Sequence, residues 1–147
     1  MTRPINKMRA VHPREQRATK YTDEELTKLK KVKALETESW KDCAAMERLS
    51  HEIVAILEDV LKQNPHNPIA LTNLGAMYSN FGRYKEALSL LKKARKLKFE
   101  DHNLYFNFGV VYVGLKRDEE ARKYFKLSST VEANDLTFKA YIDFHAL

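Results

Sequence analysis

Glycine, proline and cysteine are scarce in this chain, and each shortage narrows what the protein can be. Four glycines and four prolines in 147 residues leave few places to interrupt a helix, so long helices are expected. The single cysteine, Cys43, excludes an internal disulfide and a cysteine-rich metal site; we expect it to be packed. No apolar run approaches the roughly 18 residues of a membrane span, which predicts no membrane insertion. A reducing, cytoplasmic setting is the corresponding expectation.

Groupings of residues that carry chemistry are also missing. There is no phosphate-binding loop and no Gly-x-Ser-x-Gly motif. No two histidines fall four residues apart, and none lies near paired carboxylates, so neither a metal site nor an acid–base pair is indicated. We therefore predict a non-enzymatic protein without catalytic residues, metal or cofactor, and expect these histidines in loops or on the surface: His12, His51, His66, His102 and His145.

What the chain does contain is one pattern that occurs twice between Pro68 and Asp135, with the second copy 34 residues after the first. A fixed period of this length is typical of stacked helical repeats. The positions that are identical in the two copies are Asn73/Asn107, Gly75/Gly109, Tyr78/Tyr112, Arg83/Arg117, Glu86/Glu120, Ala87/Ala121, Lys92/Lys126 and Asp101/Asp135.

Each copy reads as a helical hairpin. In the first copy Leu71, Leu74 and Tyr78 recur at intervals of three and four residues, as one face of an amphipathic helix requires. Gly82 then ends this helix as a C-terminal cap would. A second apolar stripe follows over residues 84–97. The sequence thus predicts two helices that fold back on each other.

Gly75 and Gly109 lie inside predicted helices, where glycine costs about 1 kcal/mol relative to alanine. A close approach of the partner helix would offset that cost, because a missing side chain leaves room for it. Ala87 and Ala121 fit the same explanation. We therefore expect tight contacts between the two helices of each hairpin.

The spacing resembles the tetratricopeptide repeat family, in which a large apolar residue is followed at fixed intervals by Leu-Gly, Tyr, Ala and Phe. The resemblance implies an all-α solenoid of about three helical hairpins, the first of them degenerate. The family's customary terminal proline is replaced by Phe99 and Ala133. The matching residues are Leu71, Leu74-Gly75, Tyr78, Ala87 and Leu91, then Tyr105, Phe108-Gly109, Tyr112, Ala121 and Phe125.

We predict a helical domain over residues 22–147. Its first repeat would pair helices at about 34–48 and 51–63, unless the former merges with a helix that begins near Thr22. A final helix over 136–147 would cover the open end of the stack, as repeat arrays require. The three repeats are placed at about 34–67, 68–101 and 102–135.

Helix starts are marked by capping residues. The segment 22–25, Thr-Asp-Glu-Glu, is a capping box, from which a helix is expected to run towards Met46. Asn67 and Pro68 suit the cap and first turn of a later helix. The same capping place is occupied in the next two repeats by Asp101 and Asp135.

In the family that this chain resembles, the first helices of successive repeats line a concave face that binds extended peptides or helices. Asn73 and Asn107 would lie on this face and could hydrogen-bond a ligand backbone, since an amide offers both a donor and an acceptor. The resemblance assigns the following residues to the groove: Ile69, Thr72, Asn73, Ala76, Ser79, Asn103, Phe106, Asn107, Val110 and Val113.

Some family members grip a C-terminal carboxylate with Lys and Arg in this groove. Here Thr72, Asn73, Phe106 and Asn107 stand at those positions, so a carboxylate clamp is not expected. The apolar groove residues instead predict a trough for an amphipathic helix or a hydrophobic segment. The alternative is that the first or last helix of the chain itself fills the trough.

The first 33 residues carry the whole net charge of +6, and the rest of the chain is balanced. Residues 1–21 have scattered apolar residues and no period, which predicts an extended or disordered arm. Such an arm attracts an acidic protein or RNA through charge, or it is a solvated tail. Its basic residues are Arg3, Lys7, Arg9, Arg14, Arg17 and Lys20.

Two functions follow as expectations. The first is a protein–protein interaction module that acts as an adaptor, assembly factor or chaperone within a larger complex and holds a partner segment in its groove. The alternative is a ribosome- or nucleic-acid-associated factor that binds through its basic arm. Salt dependence separates the two, because binding to phosphates weakens steeply as salt rises.

Overall fold

The computed structural model describes residues 21–143, which contain six helices and no strand. The predicted all-α solenoid of helical hairpins is confirmed. Consecutive helices pack against each other, and the third helix also packs against the fifth. No helix in residues 21–143 combines the length and the apolar character that a membrane span requires. The helices are α1 Asp23–Ser39, α2 Cys43–Gln63, α3 Pro68–Asn80, α4 Tyr84–Lys96, α5 His102–Gly114 and α6 Asp118–Ser128.

The first and second helices of the later hairpins are buried differently. In α4 and α6 one apolar stripe faces inwards while lysines and glutamates face solvent. In α3 and α5 nearly every residue is buried, which indicates packing on all sides. These two helices are therefore covered on the concave side of the solenoid as well as by their hairpin partners.

Gly75 in α3 and Gly109 in α5 lie at close contacts between the two helices of their hairpins, as predicted. A Cβ atom added to Gly75 would lie 2.6 Å from Cδ2 of Leu91, and one added to Gly109 would lie 2.5 Å from Cε1 of Phe125. Neither distance leaves room for a side chain. In the second and third hairpins, a glycine therefore fixes the register by making room for a large side chain from the opposite helix.

The turn inside the second hairpin, between α3 and α4, has the same structure as the turn inside the third, between α5 and α6. The Arg83 guanidinium lies 4.6 Å from the ring centroid of Tyr78 and binds Glu86, and its backbone N–H donates to the Tyr78 carbonyl at 2.9 Å. The third hairpin repeats these contacts with Tyr112, Arg117 and Glu120. This network accounts for three of the identities at the 34-residue spacing.

The first hairpin differs from the boundaries predicted for it. Its first helix begins at Asp23 and ends at Ser39, so the predicted helix at 34–48 and the run towards Met46 are wrong. The predicted helix at 51–63 lies within the second helix, which begins earlier, at Cys43, and ends at Gln63. The chain turns at residues 40–42 without a glycine or proline. Asp42 starts α2 by accepting a hydrogen bond from the Ala45 N–H at 2.7 Å.

The predicted capping box at the start of α1 is confirmed, and its glutamate also binds the next interhelical turn. Glu25 accepts hydrogen bonds from the Thr22 N–H at 2.8 Å, Asn64 Nδ2 at 2.6 Å and Asn67 Nδ2 at 3.1 Å. Asn67 in turn caps α3 by accepting from the Ala70 N–H at 3.0 Å. Burial alone would raise the pKa of Glu25, but these donors outweigh it and hold the pKa below its usual 4.5.

Replacing Glu25 by glutamine is expected to lower the free energy of unfolding at neutral pH by about 1–3 kcal/mol, because an amide cannot accept all three hydrogen bonds. A carboxylate whose folded pKa is depressed stabilises the fold above its unfolded pKa, and this contribution is lost as pH falls through the folded value. The deficit of the variant should therefore shrink in acid. Urea unfolding at several pH values measures it, and Glu47→Gln, at an exposed position of α2, is the control. A deficit independent of pH would contradict this account.

The predicted helix over 136–147 is wrong for the residues that the structure describes. Residues 136–143 are not helical, and 144–147 lie outside the described range, as does the basic arm up to residue 20. Asp101 caps α5 as predicted by accepting from the Leu104 N–H at 3.0 Å. Asp135 caps no helix, because the chain after it stays irregular.

Candidate binding groove

The non-helical residues 136–141, which we call the strap, run along the concave face of the solenoid. They contact side chains of α1, α3 and α5, the first helices of the three hairpins. The strap is thus the layer that covers α3 and α5 on their concave side.

Two asparagines hold the strap by its backbone. Asn73 donates from Nδ2 to the Leu136 carbonyl at 2.9 Å and accepts from the Phe138 N–H at Oδ1 at 3.0 Å. Asn107 lies 34 residues later in α5. It donates to the Phe138 carbonyl at 3.1 Å and accepts from the Ala140 N–H at 2.7 Å. Each amide therefore spans a carbonyl and an N–H that are two residues apart.

Other side chains extend this pattern to both ends of the strap. Lys33 of α1 donates to the Thr137 carbonyl at 2.8 Å. At the far end Asn80 accepts from the Tyr141 N–H at 2.7 Å. The strap is held along its length by side chains of the helices.

The start of the strap is fixed by Asp101, the residue that caps α5. Its Oδ1 accepts from the Asn134 N–H at 2.5 Å and from the Thr137 hydroxyl at 3.2 Å. Asn103 donates to the same hydroxyl at 3.0 Å. Burial raises the pKa of Asp101 above its usual value, and the hydrogen bonds it accepts offset only part of this effect. A single buried carboxylate thus serves both a helix cap and the strap.

Burial alternates over residues 138–141 of the strap. The side chains of Phe138 and Ala140 are buried, whereas those of Lys139 and Tyr141 are exposed. A two-residue period of burial and of hydrogen bonding is that of an extended chain. Lys139 lies across the groove with its Nζ 4.8 Å from the ring centroid of Phe106.

All ten residues assigned to the groove lie on α3 or α5, but only some of them contact the strap through polar or ring interactions. Those that do are Asn73, Asn103, Phe106 and Asn107. Phe106 and Val113 are half-buried. The Ser79 hydroxyl has no hydrogen-bond partner among residues 21–143. The other side chains are buried, and they are Ile69, Thr72, Ala76 and Val110.

The groove therefore contains the C-terminal segment of its own chain, one of the two alternatives left open by the sequence, but as an extended segment instead of a helix. Sequence reasoning missed Lys33, Asn80 and Asp101 as groove residues. Asp101 had been recognised only as a helix cap. Lys33 and Asn80 carried no signal, because neither has an identical counterpart in the repeat.

Beyond Tyr141 the groove opens into a cleft of about 330 Å³. It is lined by four large apolar side chains that are each more than a third exposed. Two of them, Trp40 and Tyr141, are in ring contact, with their centroids 5.9 Å apart. Cys43 also lines the cleft and is exposed, so the prediction that it is packed is wrong. The exposed apolar residues are Trp40, Met46, Phe81 and Tyr141.

No three His, Cys, Asp or Glu side chains in residues 21–143 are grouped so that they could hold a metal ion. His51 and His66 are exposed, while His102 is half-buried with Nδ1 2.5 Å from the Ser128 carbonyl. His12 and His145 lie outside the described residues.

Comparison with known proteins gives one result on the repeats. Residues 68–131 match the model of the tetratricopeptide repeat, and this segment comprises the second and third hairpins. No curated protein matches the chain.

Proposed function

We propose that the chain functions as a tetratricopeptide repeat protein, because residues 68–131 match the model of that repeat and such repeats generally mediate protein–protein interactions. From this premise we propose that the chain is a non-enzymatic interaction module that binds an extended segment of another protein in its concave groove. The observation that carries the proposal is the pair of backbone clamps formed by Asn73 and Asn107.

The geometry of these clamps favours an extended ligand over a helical one. An amide of the asparagine side chain pairs with one carbonyl and one N–H of the ligand backbone. In a helix those groups are already paired with each other, and the buried asparagines would then be left without partners, at about 1–3 kcal/mol each. An extended segment offers free backbone groups at the two-residue interval that the clamps require.

Within this proposal the chain serves as an adaptor, assembly or chaperone-like component of a larger complex, and the cytoplasm is the compartment that fits its cysteine usage. The basic arm supports a second candidate function, binding to RNA or an acidic surface. Residues 1–20 contain six basic residues and one acidic residue, Glu15. That attraction is electrostatic and depends on salt.

Affinity isolation from native extract tests the proposal with three versions of the full chain. All three carry Ala140→Glu, which places a charge at a buried position of the strap and so removes the strap as a competitor. The first has no other change, the second adds Asn73→Ala and Asn107→Ala, and the third adds the control pair Lys92→Ala and Lys126→Ala. The control residues are also 34 positions apart, but they are exposed on α4 and α6. Circular dichroism verifies that all three are folded.

We expect to find proteins whose recovery falls at least about tenfold with the asparagine variant, because two backbone clamps are lost. The recovery of the same proteins should be unchanged with the lysine control. Their recovery should survive high salt. Equal recovery with both variants would overturn the groove proposal. Recovery that depends only on residues 1–20 and disappears at high salt would favour the arm.

A further inference from the structure

We infer that the strap is a built-in copy of the partner segment, so that the groove recognises a Thr-aromatic-x-Ala pattern and a partner must displace the strap to bind. This inference rests on the proposed function and names the partner class and the regulation of the same site. The pattern is that of residues 137–140, Thr-Phe-Lys-Ala.

The specificity comes from the side chains that the groove buries. Phe138 is 3% exposed and Ala140 is 4% exposed, so one position takes an aromatic ring and the other has room for only a small residue. Lys139, between them, faces outwards and leaves the third position free to vary. A charged residue at the position of Ala140 would have to displace the strap or leave its charge buried without a partner.

The first position of the pattern requires a hydroxyl. The Thr137 hydroxyl is fully buried and accepts a hydrogen bond from Asn103. Its own proton is shared between Asp101 Oδ1 at 3.2 Å and the Asn134 carbonyl at 3.0 Å. A partner with an apolar residue at this position would leave Asp101 and Asn103 each short of one hydrogen bond. Serine or threonine satisfies them.

The strap is attached in a way that permits exchange. The backbone of the strap is hydrogen-bonded to the helices by the side chains of Lys33, Asn73, Asn80 and Asn107, not by a backbone ladder. A partner segment can therefore replace the same hydrogen bonds one for one. What favours the strap is its tether to α6, which gives it an effective concentration in the millimolar range.

Competition of this kind lowers the apparent affinity for a partner by the fraction of molecules whose groove is open. A substitution that releases the strap without altering the groove should therefore strengthen binding. Ala140→Glu meets this requirement, because Ala140 contributes only a methyl group to the contact.

The probe is a fluorescein-labelled synthetic peptide with the sequence of residues 132–143, and its binding to the full chain is measured by fluorescence anisotropy. We expect Ala140→Glu to bind the peptide at least about tenfold more tightly than wild type. Lys139→Gln, an exposed substitution in the same segment, should bind like wild type. Adding Asn107→Ala to Ala140→Glu should abolish the gain, and a peptide that itself carries glutamate at position 140 should not bind.

Amide hydrogen exchange of the Phe138 N–H verifies that Ala140→Glu releases the strap, and circular dichroism verifies the helices. If this variant does not fold, Phe138→Ser replaces it. A variant with a released strap that binds the peptide no better than wild type overturns the inference. A concentration-dependent dimer of wild type that is lost in Ala140→Glu also overturns it, because the groove would then belong to the strap of a second copy.

The outcomes separate this inference from the proposed function. If the peptide does not bind but extract proteins still depend on Asn73 and Asn107, the groove binds partners of another pattern and only the inference fails. If recovery from extract is also independent of the asparagines, the proposed function fails with it.

Discussion

Replacing Gly109 by alanine is expected to destabilise the protein by about 1–3 kcal/mol, although helix propensity alone favours alanine by about 1 kcal/mol. The added Cβ would lie within 2.7 Å of three atoms of the Phe125 ring. That ring cannot move freely, because it also meets Phe106 edge-on at a centroid distance of 5.3 Å. Valine at the same position should cost more than alanine. Urea unfolding followed by circular dichroism measures both.

The matched substitution Gly75→Ala should cost less. Its Cβ would meet the end of the Leu91 side chain, which can rotate away, whereas the Phe125 ring is rigid. Combining Gly109→Ala with Phe125→Leu should recover part of the loss. If Gly109→Ala is as stable as wild type, the hairpin does not depend on this contact.

The second large effect concerns the clamps. Replacing both Asn73 and Asn107 by leucine is expected to release the strap, because four hydrogen bonds are lost, three of them buried, and their backbone partners would stay unpaired at about 1–3 kcal/mol each. The summed free-energy cost exceeds the stabilisation that the remaining contacts of one short segment can supply. Amide exchange of Phe138 and Ala140 should accelerate at least about a hundredfold, equivalent to about 2.7 kcal/mol, while exchange within α4 and α6 changes little.

The control for the clamps is Asn80→Ala, which removes one hydrogen bond to the exposed Tyr141. It should accelerate exchange near Tyr141 only. Protection of Phe138 and Ala140 that persists in the double leucine variant would mean that apolar contacts alone hold the strap.

The sequence predicted the parts of the fold whose signals are local or periodic. The 34-residue identities, the glycines opposite Leu91 and Phe125, and the caps at Thr22, Asn67 and Asp101 all follow from neighbours along the chain or from the repeat. The turn between α1 and α2 has neither glycine nor proline. Its one local signal is Asp42, which accepts a hydrogen bond from the N–H of Ala45, three residues later.

The strap was mispredicted because its apolar residues fit two periods. Leu136, Tyr141 and Ile142 suit a helix, while Phe138 and Ala140 alternate with exposed residues as in an extended chain. The choice between them is made by Asn73 and Asn107, which are more than 30 residues away in the chain. The sequence identified these asparagines as ligands for a backbone, but it could not identify whose backbone they hold.

The order of the elements along the chain has a consequence for synthesis. All six helices precede the strap, so a nascent polypeptide that has completed α6 still lacks the residues that occupy its concave face. At about 5–20 residues per second this interval lasts on the order of a second. During this interval the groove is empty, so a partner segment could bind during translation without competition from the strap.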